Sequence, residues 1–117
     1  MDVRIQTQGF SLTPPIGARV HKQLRQTLRR YADDIISVDV YLKDLNGPKG
    51  GEDMQAGIRL QLRYRAPITV LTTHSDLYKA IDLSARRARR TVRRSVGKFR
   101  RLRRRGLHHV AAVPLGT

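Results

Sequence analysis

The chain has 117 residues, enough for one domain with a single modest core. Its 24 Lys and Arg residues against 9 Asp and Glu residues give a formal net charge of +15, so the expected partner is a polyanion, either nucleic acid or an anionic membrane surface. The absence of cysteine excludes disulfide frameworks, thiolate metal sites and thiol nucleophiles, and no apolar run has the length of a transmembrane helix. We therefore expect a cytoplasmic protein without a signal peptide.

The first elements are a strand and a helix. The alternation of Val3, Ile5 and Thr7 with polar side chains predicts a strand that ends at Gly9. In residues 12–32, apolar side chains recur at helical spacing, with Thr13 placed as N-cap and two prolines in the first turn. These features predict a helix of about five turns. Its face opposite the apolar stripe is basic and holds Arg19, Lys22, Arg25, Arg29 and Arg30.

Three strands are predicted next. The second strand buries Ile36, Val38, Val40 and Leu42. The segment "DLNGPKGGED" at 44–53 then forms a flexible connection. The third strand turns one set of side chains inward, namely Met54, Ala56, Ile58, Leu60, Leu62 and Tyr64. After a turn at Ala66 and Pro67, the fourth strand carries Ile68, Val70, Thr72 and His74.

The last predicted element is a long helix with Ser75 as N-cap and Asp76 in the first turn. Its apolar stripe contains Leu77, Ile81, Ala85, Ala88, Val92, Val96, Phe99 and Leu102. Residues 84–105 hold 12 of the 24 Lys and Arg residues and no acidic residue. We expect residues 1–105 to form the single domain and residues 106–117 to be a mobile tail.

The predicted fold is α+β with the order β-α-β-β-β-α, a four-stranded sheet with two helices packed on one face. If both apolar stripes face the sheet, both basic helix faces point outward on the same side of the molecule. Cations spread over two such faces suit the phosphates of structured RNA. The sequence therefore predicts an RNA-binding surface on the helices.

Other modes of binding remain to be weighed. The outward face of the sheet carries one aromatic residue, Tyr41, which favours an ordinary strand residue over a base-stacking platform. Double-stranded RNA-binding domains anchor phosphates at the start of the second helix. This chain has Asp76 and Asp82 there, and their negative charges argue against such a domain. An Arg-rich amphipathic helix can also lie on anionic lipid, but the small-residue stripe of this helix fits a packed sheet better. A general duplex-RNA-binding module and a membrane-surface protein remain the two alternatives. Of these possibilities we expect RNA binding and no membrane partner.

No motif indicates an enzyme, a cofactor or a metal site. The segment "GPKGG" lacks the spacing of a phosphate-binding loop. His108 and His109 are adjacent residues of the tail without cysteine or a nearby carboxylate, which makes a poor metal site. The side chains of Asp33 and Asp34 diverge, as those of adjacent residues do, and so do not suit acid–base catalysis. We therefore expect no catalytic residue, no cofactor, no bound metal and no small-molecule substrate.

Three segments resemble one known family. They are "LT" at 12–13, "RRYADDIISVDVYLKDLNGPKGGED" at 29–53 and "DLYKAID" at 76–82, and the last, followed by an Arg-rich helix, is the most specific. The similarity covers residues 1–104 and is to the ribosome hibernation promoting factor and protein Y family, also called ribosomal subunit interface or sigma-54 modulation proteins. The chain differs from the family pattern at Pro14 and Pro15 and in the high Arg content of its last helix.

The resemblance implies the same β-α-β-β-β-α fold and a function. Members bind rRNA in the decoding channel of the small ribosomal subunit, over the sites for messenger and transfer RNA, and so block translation and store idle ribosomes. It also implies a short form without the C-terminal dimerisation domain of longer members. The basic positions of the family fall here on Lys22, Arg25, Arg29, Arg86, Arg87, Arg90, Arg93 and Arg94, which are the expected phosphate contacts.

Overall fold

The computed structural model describes residues 1–45 and 53–102. Its main elements are strand β1 Asp2–Gln8, helix α1 Pro14–Leu28, strand β2 Ile35–Asp44, strand β3 Met54–Leu62, strand β4 Ile68–His74 and helix α2 Leu77–Leu102. A 3-10 helix, Arg29–Asp34, joins α1 to β2. The predicted order β-α-β-β-β-α is confirmed. The predicted tail at 106–117, the last residues of the predicted 1–105 domain and most of the predicted flexible connection lie outside the described residues.

The four strands form one mixed sheet in the order β1-β2-β3-β4. β1 and β2 are parallel, as a helical crossover between them requires, whereas β2 with β3 and β3 with β4 are antiparallel. Gly9 directly follows β1, and its φ of 91° lies in the left-handed region. A Cβ at this position would also lie 3.1 Å from the Cβ of Asp44, so glycine is suited to the turn for two reasons.

The core lies between one face of the sheet and the two helices. The helices contribute buried apolar residues at the predicted spacing, including Val20, Leu24, Ala85, Ala88 and Val92. The sheet contributes Val38, Val40, Ile58, Leu60 and Val70. The small side chains of α2 let its backbone approach the strands closely, and the packing of both helices on one face of the sheet is as predicted.

The side-chain pattern of β2 was mispredicted at its start. Ile36 was expected to be buried, but its side chain is 46% exposed, whereas Ile35 is 1% exposed. The pairing of β2 with β3 shifts register between Ile35 and Ser37, as at a β-bulge. A bulge inserts one residue into the strand and reverses the faces on its far side, so simple alternation fails there.

The end of β3 was also mispredicted. The strand ends at Leu62, and Tyr64, expected to face the core, is 69% exposed with a φ of 66°. Arg63 donates through its backbone N–H to the carbonyl oxygen of Asp34 and through Nε to that of Asp33, at 3.0 and 2.9 Å. These two bonds hold the chain against the 3-10 helix, and the turn to β4 begins there.

Both helix boundaries differ from the prediction by a few residues. The first helix is α-helical only to Leu28 and continues as the 3-10 helix, which still buries Tyr31. The N-cap of α2 is Asp76 and not Ser75, because Asp76 Oδ1 accepts hydrogen bonds from the backbone N–H groups of Tyr78 and Lys79 at 2.9 and 3.4 Å. A carboxylate can satisfy two helix N–H groups and also complements the helix dipole.

Candidate nucleic-acid interface

The two helices run in the same direction across the sheet. α1 connects two parallel strands and therefore runs opposite to them. β4 has the same direction as β2, and α2 returns from the end of β4 towards its start, where Arg65 contacts Ser95. The N-termini of both helices thus lie at one end of the sheet, and their outer faces form one continuous side of the molecule.

A polar contact joins the second turns of the two helices. The guanidinium of Arg19 in α1 donates two hydrogen bonds to the carboxylate of Asp82 in α2, at 3.0 and 3.1 Å. It also lies over the ring of Tyr78, 5.2 Å from the ring centroid. These hydrogen bonds, followed by the negative charge of Asp82, raise the pKa of Arg19 above its ordinary value. Arg19, grouped by sequence with the outward cations of α1, is therefore an interhelical contact.

Further contacts hold α2 on the sheet. The buried hydroxyl of Ser84 donates to the carbonyl oxygen of Ala56 in β3 at 3.0 Å. Arg65, in the turn before β4, donates to the backbone carbonyl oxygen of Ser95 and to its hydroxyl, the latter at 2.8 Å. These contacts, at two positions along α2, fix the rotation of the helix about its axis relative to the sheet. The same helix face is therefore always turned to solvent.

All eight cations assigned by resemblance to phosphate binding are exposed on the helices. In the part of the chain that the structure describes, no hydrogen bond or ion pair engages seven of them, which are Lys22, Arg25, Arg29, Arg86, Arg90, Arg93 and Arg94. The eighth, Arg87, donates to the carbonyl oxygen of Leu71 and to Oγ1 of Thr72, the latter at 3.1 Å. Both acceptors belong to the edge strand β4, so Arg87 has a structural partner that the other seven lack.

Part of α2 forms a shallow concave surface, and the described side chains that line it are all basic, namely Arg90, Arg93, Arg94, Lys98 and Arg101. The last two were not among the predicted site residues. They continue the same helix face at spacings of four and seven residues from Arg94, and this periodicity was the signal that could have identified them.

Beyond Asp82, all the charged residues of α2 are positive. After Asp82, which contacts Arg19, the sequence of α2 to Leu102 has no acidic residue. Like charges four residues apart, such as Arg86, Arg90 and Arg94, repel each other and destabilise a helix by about 0.2 to 0.5 kcal/mol per pair. An anion with several negative groups would relieve this repulsion, and the planar guanidinium groups match phosphate geometry.

The described residues offer little for other chemistry. Among residues 1–45 and 53–102 there is no cluster of three or more His, Asp or Glu side chains that could hold a metal ion. Within the same ranges, no helix combines the length and the apolar character needed to cross a membrane. His108 and His109 lie outside the described residues.

Comparisons with known proteins agree with this fold. Residues 3–100 match the family described as sigma 54 modulation protein / S30EA ribosomal protein. The N-terminal domain of protein Y from Thermus thermophilus superposes with a TM-score of 0.68 at 27% identity, covering 80% of this chain and 98% of that one. A ribosomal subunit interface protein from Coxiella burnetii has a TM-score of 0.72 at 15% identity, covering 83% of this chain and 99% of that one, and so shows the shared fold. No curated protein sequence matches the chain significantly.

Proposed function

The chain belongs to the sigma 54 modulation protein / S30EA ribosomal protein family, and on this premise we propose that it is a non-enzymatic, ribosome-associated translation inhibitor. It binds rRNA in the decoding channel of the small ribosomal subunit and occupies the sites for messenger and transfer RNA. Ribosomes held in this way cannot initiate and are stored during stress, which is the role of a hibernation factor. This function places the protein in the cytoplasm, on the ribosome.

The observation that carries the proposal is the basic outer side of the two helices. Seven exposed cations there are without a hydrogen-bonding or ionic partner in the described part of the chain, and α2 is held rigidly on the sheet through Ser84 and Arg65. An anchored helix surface that carries many unpaired cations can meet phosphates from several rRNA segments without reading base sequence. It also excludes other RNA ligands from the same space by steric competition.

Residue roles follow from these contacts. The proposed phosphate contacts are Lys22 and Arg25 of α1, Arg29 at the start of the 3-10 helix, and the exposed arginines of α2. Arg87 belongs to the same set by resemblance, but its bonds to β4 assign it first to holding the helix on the sheet. Lys98 and Arg101 extend the proposed surface along α2.

The proposal is tested by reversing the charge of three arginines that line the concave surface. In the triple variant Arg90→Glu, Arg93→Glu and Arg94→Glu, we expect loss of binding to vacant small subunits with an unchanged circular dichroism spectrum, because all three side chains are exposed. The matched control changes the same three residues to Lys, which keeps the charge and should keep most of the binding. Unchanged binding by the Glu variant would reject this surface.

A second comparison separates this function from a general duplex-RNA-binding module. The proposed function predicts tighter binding to small subunits than to a naked RNA duplex at the same salt concentration, because the channel presents phosphates on several sides. Equal affinity for the two would favour the general module.

A further inference from the structure

The side of the sheet that faces away from the helices carries a row of matched residues, one from each strand. In the strand register Gln6 lies beside Tyr41, Tyr41 beside Gly57, and Gly57 beside Leu71. Tyr41 is 45% exposed and Leu71 is 55% exposed, although both lie in regular strands. Gly57, between Tyr41 and Leu71, has no side chain and leaves a gap in this row.

The missing side chain shapes the surface. A Cβ built on Gly57 would lie 2.8 Å from Cδ2 of Leu71 and 3.9 Å from Cβ of Tyr41, so Leu71 leans across the glycine towards the tyrosine. Next to them is a depression of about 160 Å³, also lined by Gln8, Lys43 and Gln55. It is smaller than the roughly 300 to 1,000 Å³ of a site for a drug-sized molecule, and it is suited to one planar ring system.

The chemistry around the depression indicates the kind of ring. Among the residues that the structure describes, no acidic side chain lines it, and Lys43 gives it positive charge. On the neighbouring row, Arg4 and Asp39 form an ion pair, with Nε and Oδ1 3.2 Å apart, and Arg59 adds an exposed cation. The amides of Gln8 and Gln55 can each donate and accept hydrogen bonds at the ring edge. An aromatic surface, amides and cations together match a nucleobase joined to a phosphate.

We propose that this outer sheet face is a second RNA-binding site, which takes an unpaired nucleobase of single-stranded RNA against Tyr41. The base stacks on the Tyr41 ring and contacts Leu71, the glutamine amides bond to its edge, and Lys43 meets its phosphate. The site lies on the opposite side of the sheet from the helix surface. The protein can therefore hold a structured RNA with its helices and a single strand with its sheet, and this inference does not depend on the proposed function.

The test uses the Glu triple variant at Arg90, Arg93 and Arg94 as background, so that binding to the helices does not mask the sheet. Eight-nucleotide oligoadenylate is titrated into the ¹⁵N-labelled protein and amide shifts are followed by NMR. We expect the largest shifts at the row that includes Tyr41, Gly57 and Leu71. Adding Tyr41→Ala should weaken binding about tenfold, the effect of losing one stacked base, whereas Tyr41→Phe should retain it.

A second variant probes the shape of the site without removing a contact group. Gly57→Ala forces the flexible end of Leu71 to move, so it should alter RNA binding while the far-ultraviolet circular dichroism spectrum stays the same. The proposal is overturned if RNA-induced shifts are confined to α1 and α2, or if Tyr41→Ala and Tyr41→Phe bind RNA equally. Concentration-dependent shifts of the same row without RNA would overturn it as well, because they would show that a second copy of the chain covers this face.

Discussion

Two arginines three residues apart on α2, Arg87 and Arg90, should respond differently to the same substitution. Arg87 donates to Leu71 and Thr72 of the edge strand, whereas Arg90 points into the concave basic surface. Gln replaces Arg in a helix with almost no change in propensity, so Arg87→Gln and Arg90→Gln isolate the guanidinium contacts. The first variant should mainly lose stability and the second should mainly lose RNA affinity.

The magnitudes follow from the contacts. Loss of the exposed bonds from Arg87 to β4 should cost about 1 kcal/mol, which lowers the Tm of a domain of this size by roughly 4 to 8 °C. Loss of one phosphate contact at Arg90 should reduce the slope of log K against log salt by about 0.9. When the salt concentration rises from about 50 to about 200 mM, the affinity of the wild type for RNA should fall by a factor roughly three times larger than that of the variant.

Two assays check this pair of variants. Thermal unfolding followed by circular dichroism measures the Tm, and fluorescence anisotropy with a labelled RNA duplex over a salt series measures the slope. The reasoning is refuted if Arg87→Gln reduces the slope as Arg90→Gln does and leaves the Tm unchanged. Arg87 would then act as a phosphate contact like its neighbours.

Two further predictions concern the fold. Ile35→Ala should destabilise the protein by about 3 kcal/mol because this side chain is 1% exposed, whereas Ile36→Ala should change stability by less than about 0.5 kcal/mol; equal losses in urea unfolding would contradict the bulge in β2. Arg19→Gln and Asp82→Asn should each lower the Tm, and the double variant should lower it by less than the sum of the two, since the partners share one contact. The raised pKa of Arg19 means that its stabilising charge is present below the ordinary arginine pKa and is lost only as the pH rises through a still higher value. The coupling should therefore persist from about pH 7 to about pH 10, and its disappearance in that range would contradict the assignment.

Regular periodicity made most of the fold predictable. The alternation in β1 and β4 and the apolar stripe of α2 are long and regular, and each identified its element. Each also identified the inward face, for α2 as far as Val96, since the predicted Phe99 and Leu102 side chains lie outside the description. The errors occurred where a single residue disturbs the period. The bulge at Ile35 and the left-handed backbone at Tyr64 are set by tertiary contacts, which no local pattern encodes.

The candidate site was predictable as a surface but not as a set of partners. Charge and spacing identified the exposed cations of both helices. They could not separate Arg19 and Arg87 from the others, because the acceptors of these two arginines lie on elements distant in sequence. Sequence alone favoured an ordinary strand residue at Tyr41 and did not connect it with Gly57 and Leu71, because only the strand register brings these residues into one row.

The most direct test of the central claim is co-sedimentation of the purified protein with vacant small ribosomal subunits over a salt series, with and without bound transfer RNA. The account predicts saturation near one copy per subunit, a steep loss of binding with salt, and displacement when transfer RNA occupies the channel. Binding that does not saturate and that transfer RNA does not displace would contradict it.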